Sequence, residues 1–91
     1  MAVKVVIPIP LQKFARNQTS CECEASTVAE LFEVLETTFP DIKGRLRDSA
    51  GEPLKFLNFY VNSEDIRFLD GVATRLESGS EVMIEPAVAG S

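Results

Sequence analysis

One stretch of this chain can form a long helix, and the segments around it are too short and too alternating to do the same. Ser26 and Thr27 supply hydroxyls for the first free helical N–H groups, and Glu30, three residues after Thr27, completes a capping-box pattern. Val28, Leu31, Phe32, Leu35 and Phe39 then follow the i, i+3, i+4, i+7 rule. Glu30, Glu33 and Glu36 take other faces, and Pro40 stops the helix. A lone amphipathic helix has no second helix on which to bury its stripe. The sequence around it therefore has to supply a sheet.

It does so with short alternating runs. Val3, Val5 and Ile7 alternate with Lys4 and Val6 until Pro8 and Pro10 forbid further ladder pairing. After a connection over residues 11–17, Thr19, Cys21 and Cys23 alternate with Ser20, Glu22 and Glu24, which predicts a hairpin with a long loop. Residues 41–53 carry Ile42 and Leu46 among charges and admit one or two helical turns at most. The strongest strand spans residues 54–62, with Leu57, Phe59 and Val61 toward the core and Phe56, Asn58, Tyr60 and Asn62 facing away. A turn at residues 62–65 leads into Ile66, Arg67 and Phe68. A short helical turn is expected within residues 72–76, and a last strand over residues 81–85 ends at Pro86. The expected architecture is α+β, a mixed sheet of four or five strands with one main helix packed across it. A chain of 91 residues holds one core, so residues 1–86 are expected to fold as the domain and residues 87–91 to form a flexible C-terminal tail.

Charge and composition narrow the function. With nine basic and 14 acidic residues, a net charge of −5 argues against a nucleic-acid partner, whose affinity depends on Lys and Arg releasing counterions. No run approaches the roughly 20 apolar residues that span a bilayer, and the opening MAVKVVIPIP lacks the long apolar region of a signal peptide. The expectation is a cytoplasmic protein, monomeric when free. The chain has no histidine, which removes every histidine-based proton shuttle, and Glu22 with Glu24, or Glu64 with Asp65, read as solvated strand and turn residues. Cys21 and Cys23 are expected to share one strand face as small, partly buried residues, their Cα atoms near the upper limit for a bridge so that no disulfide is expected, and too few for a zinc site.

The end of the chain reads differently. Ala87, Val88, Ala89, Gly90 and Ser91 are small, uncharged and follow a proline. Five extended residues reach roughly 16 to 18 Å, enough to carry an end group from a domain surface into a partner's buried site.

The run FLNFYVNSEDIRFLDGVATRLESGSEVMIEPAVAGS, residues 56–91, resembles the C-terminal part of the MoaD/ThiS family of ubiquitin-like sulfur carriers. Within that family, NSEDIRF at residues 62–68 and PAVAG at residues 86–90 are most similar to the mycobacterial cysteine-biosynthesis (CysO) type. The resemblance implies a β-grasp fold and a protein co-substrate rather than an enzyme. It implies no intrinsic cofactor, ATP being used by a ThiF/MoeB-type adenylating enzyme that activates the C-terminal carboxylate, which sulfur then converts to a thiocarboxylate. Gly90 and Ser91 would carry that group, and Phe56, Tyr60, Glu85, Pro86, Ala87, Val88 and Ala89 would meet partners. The downstream partner is expected to be a pyridoxal-phosphate-dependent cysteine synthase or, alternatively, the large subunit of molybdopterin synthase. A β-grasp binding module or protein modifier that carries no sulfur is the reading of a different class. Two positions depart from the family pattern: Ser91 stands where the carriers normally have the second of two glycines, and Glu85 stands where relatives are usually apolar.

Overall fold

The computed structural model describes residues 2–87. Five strands form one sheet: β1 (Ala2–Val6), β2 (Ser20–Glu24), β3 (Leu57–Val61), β4 (Glu64–Asp65) and β5 (Glu81–Pro86). The spatial order is β2-β1-β5-β3-β4, and only the β1–β5 pair is parallel. The last strand therefore sits at the centre of the sheet.

The alternation read from the sequence sorts residues between the two faces. Val3, Val5, Cys23, Phe59, Val61, Val82 and Ile84 are buried on one side. The main helix (Val28–Thr38) lies against them with Val28, Leu31, Phe32 and Leu35 at 0% exposure. Each such side chain contributes about 1.5–3 kcal/mol of burial. Phe32 meets Phe59 edge to face, ring centroids 5.1 Å apart, a quadrupole-favoured geometry. The capping box forms with one shift of partner. The Thr27 hydroxyl accepts from the Glu30 N–H at 3.2 Å, while the Glu30 carboxylate accepts from the Ser26 N–H, one residue earlier than expected. Pro40 does end the helix, and it opens a single 3-10 turn (Pro40–Ile42), where a missing N–H costs nothing.

Three local features exceed the sequence reading. The connection after β1 contains a four-residue helix (Ile9–Gln12) with Pro10 in its first turn. The prolines that end the strand also preset this helical turn. Its following loop passes through two left-handed residues, Arg16 (φ 55°) and Asn17 (φ 60°). Residues 43–53 have no regular element yet bury Leu46 completely and hold Arg47 to Glu36 by two hydrogen bonds of 2.8 and 3.0 Å.

Asp65 corrects the expectation of a solvated turn residue. It is buried, caps a 3-10 turn (Ile66–Phe68) by accepting from the Arg67 N–H at 2.8 Å, and receives the Arg67 guanidinium at 2.7 Å. The guanidinium holds the Asp65 carboxyl below the usual carboxylate range, against a smaller opposing effect of burial. A depressed folded-state pKa stabilises above the unfolded value and the gain is lost as pH falls through the folded value. Asp65→Asn is thus expected to lower stability by about 1 kcal/mol at neutral pH, since the Arg67 side chain is largely solvated. The gap from the parent should narrow in urea titrations as pH falls below the range in which an unfolded carboxylate titrates; a gap unchanged there would show that charge is not its origin.

Candidate functional site

The sequence motif that carries the family resemblance holds the start of the last strand. Asn62 and Ser63 both adopt left-handed φ (51° and 73°), forming the tight turn between β3 and β4 without a glycine. Asn62 also grips the start of β5, its side-chain oxygen accepting from the Glu81 N–H (2.9 Å) and its own N–H donating to the Glu81 carbonyl (2.8 Å). From there β5 runs antiparallel to β3 with Asn58 opposite Glu85 and Leu57 opposite Pro86. The Ala87 N–H donates to the Phe56 carbonyl at 2.8 Å. Pro86 thus occupies a non-hydrogen-bonded position of the ladder, where its missing N–H removes nothing.

The expected site residues distribute around this strand. Tyr60 lies on the sheet face away from the helix, half-buried beside Met83, and Val6 continues the row on β1. Tyr60, Ser63, Glu81, Met83 and Glu85 line a shallow concavity of about 240 Å³. Glu85 is exposed and Glu81 makes only a long contact to Lys4, 3.9 Å, between half-solvated side chains. Phe56 is 62% exposed, so it is not covered by a loop. Pro86 is exposed and Ala87 half-buried. Val88, Ala89, Gly90 and Ser91 lie outside the described residues.

Topology gathers further apolar groups at the same end of the sheet. β1 and β5 are parallel, so the corner after β1 and the end of β5 face one way, as does the start of antiparallel β3. Ile9 (81% exposed) sits at that corner, and Phe68 (81%) follows β4 as it runs back toward the same end. Neither was legible in the sequence. Alternation would have turned Ile9 inward with Ile7, whereas the three-residue period of the 3-10 turn, had it been recognised, would have sent Phe68 outward once Ile66 was buried.

Chemistry intrinsic to the described residues is sparse. A concavity of about 510 Å³ opens between the start of β3 and the Asp65–Arg67 pair; Glu52 and Asp70 also line it, and Asp65 is committed to the ion pair. No group of three or more Cys, Asp or Glu gathers as metal ligands among the described residues. Cys21 and Cys23 are free thiols, their sulfurs 4.0 Å apart on the helix side of β2. Their mutual hydrogen bond pushes the Cys23 thiol up, reinforced by burial, and draws the Cys21 thiol down. No helix among the described residues is long and apolar enough to cross a membrane.

One main helix over a five-stranded mixed sheet whose last strand lies centrally is the β-grasp arrangement, and residues 5–90 match the ThiS family. The chain belongs to that family. It is 40% identical over 92 residues to the sulfur carrier protein CysO of Mycobacterium tuberculosis, with 99% of each chain covered. The crystal structure of that protein superposes with a TM-score of 0.89 at 38% identity, covering 94% of this chain and 99% of the other. CysO of Amycolatopsis orientalis, solved in complex with BexX, gives a TM-score of 0.90 at 37% identity over 99% of this chain and 100% of the other. The small archaeal modifier protein 3 of Haloferax volcanii is 35% identical over 65 residues, 71% of this chain and 70% of the relative.

Proposed function

We propose that this chain is a sulfur carrier of the CysO kind, acting with partner enzymes in cysteine biosynthesis. The carrying observation is the full-length 40% identity to a sulfur carrier, combined with a central β5 pinned through Ala87 to the Phe56 carbonyl. A fixed departure point with a short segment beyond it suits delivery of a terminal group into a partner's active site.

The chemistry follows from the end group. A carboxylate oxygen attacks the α-phosphorus of ATP on an adenylating partner of the ThiF/MoeB type, pyrophosphate leaves, and an acyl adenylate forms. A sulfide equivalent then adds to the acyl carbon, AMP departs with the bonding pair, and a thiocarboxylate remains. That group stays ionised at neutral pH and offers a polarisable sulfur nucleophile, as a low-pKa thiolate does. Its acceptor in this reading is an activated serine derivative held on a partner's pyridoxal phosphate.

Incubation with ATP, sulfide and an adenylating enzyme from the same organism, followed by intact-protein mass spectrometry, tests the reading. The parent chain, Ser91→Gly and a form lacking Ser91 are compared. Gain of the mass of one oxygen-to-sulfur exchange is expected in at least the form ending at Gly90. Absence of that gain from all three, beside a working control carrier, overturns the proposal. The similarity to an archaeal modifier protein gives the second reading, in which the same acyl adenylate is captured by a protein amine. Adducts with other proteins and no sulfur gain would favour it.

A further inference from the structure

The chain is acidic overall, yet the end of the sheet from which β5 departs is basic on its helix side. The connection between β1 and β2 crosses that end and carries Lys13, Phe14 and Arg16. The Lys13 ammonium lies 5.2 Å and the Arg45 guanidinium 4.3 Å from the centre of the same Phe14 ring. Arg16, in its left-handed conformation, reaches back to within 5.7 Å of the Phe39 ring.

Contacts of this kind hold cations in place without neutralising them. All three side chains belong to exposed residues, and among the described residues no carboxylate comes within 4.0 Å of them. Asp41, in the turn after the helix, is exposed and likewise unpaired. Among the described residues Lys43, Lys55 and Arg75 also lack a carboxylate within 4.0 Å; Lys13, Arg16 and Arg45 are set apart by being both unpaired and held over an aromatic ring. By contrast Arg47 and Arg67 are closed by Glu36 and Asp65. The connection that carries Lys13 and Arg16 leaves β1 at the end of the sheet where its neighbour β5 also ends.

We propose that Lys13, Arg16 and Arg45 form a second docking surface that receives an acidic rim on the adenylating enzyme when the tail enters it. This rests on the carrier reading for the identity of the partner. Net charge alone points to basic partners, whereas the local field at the tail's exit selects an acidic one, and local complementarity governs encounter and register. The open sheet face, with Glu81 and Glu85 around Tyr60, would meet a different part of the same partner.

Charge reversals matched in net charge separate the two effects. Arg45→Glu and Lys13→Glu alter the rim; Arg75→Glu makes the same change beside the helix start, where Leu76 bonds to Ser26 at the other end of the sheet. The affinity of each fluorescently labelled chain for the adenylating enzyme is measured at about 25 and about 300 mM NaCl, with melting curves to confirm folding. At low salt the rim variants are expected to bind about tenfold more weakly than the parent, with Arg75→Glu within about twofold, and the differences shrink at high salt as screening sets in. Equal losses from Arg45→Glu and Arg75→Glu, no loss from the rim variants, or no binding by the parent would overturn the rim. Adenylation of the parent is followed in parallel. A rim effect on affinity without adenylation would sink the carrier chemistry alone, and normal adenylation with rim variants of parental affinity would sink the rim alone.

Discussion

Replacing Phe56 and Tyr60 together by serine is expected to weaken binding to the adenylating enzyme by about a hundredfold, an effect of hot-spot size. Phe56 is 62% exposed and supplies the carbonyl that pins Ala87, so its ring stands at the base of the tail. Tyr60 and Met83 form an apolar row on the open face, bordered by Glu81 and Glu85. Exposed aromatic area beside a polar rim is what a partner can desolvate. The backbone bonds of Phe56 survive the change, and Tyr60 is only half-buried, so unfolding in urea should shift by about 1 kcal/mol or less. Isothermal titration beside a denaturation curve checks both halves. Undiminished affinity in a folded double variant would move the interface elsewhere, and a collapse in stability would make both residues part of the scaffold.

The largest effect on folding is expected from Phe32→Ala, about 3–5 kcal/mol. Phe32 is fully buried, packs edge to face on Phe59, and lies beneath the Arg47 guanidinium, 5.8 Å from the ring centre. Truncation removes the ring from the helix–sheet contact at its middle and undercuts the residue that ties residues 43–53 to Glu36. A domain of this size has on the order of 5–13 kcal/mol in total, so the variant should be partly unfolded at physiological temperature. Phe32→Leu, which retains most of the volume, should lose about 1–1.5 kcal/mol. Urea unfolding of the pair decides the matter: a loss below about 1 kcal/mol for alanine would mean that the site collapses around the missing ring.

The helix was legible because its signals are local. A capping box, a 3.6-residue stripe and a proline stop lie within 15 residues, and the structure repeats them almost residue for residue. Strand alternation was equally readable, since Leu57, Phe59 and Val61 are buried and Phe56 is not. What escaped depends on contacts distant in sequence. Leu46 is buried in a stretch with no period of its own, because Leu54 bonds back to it and Arg47 reaches Glu36. Asp65 is the local exception: it looked like a turn acid, and its hold on Arg67, two residues on, depends on the geometry of the following 3-10 turn. Of the expected site residues, the structure places Phe56, Tyr60, Glu85, Pro86 and Ala87 along β5 and the strand beside it. Ile9, Phe68 and Met83 emerge only once strand directions are known. The basic rim was masked by the net charge, which averages over faces that a partner meets one at a time.

The position of β5 bears on how the protein is made. The sheet is held together by a strand that is synthesised after all the others, between β1 from the start of the chain and β3 from its middle. β1 can pair with β2 and β3 with β4 beforehand, but the two halves of the sheet are joined only when β5 is available, so the domain closes late and over most of its length. A copy broken off before that point lacks its middle strand and cannot reach the native state. Cellular clearance of unfolded chains then removes it. A molecule that reaches the native fold has therefore been translated at least through β5.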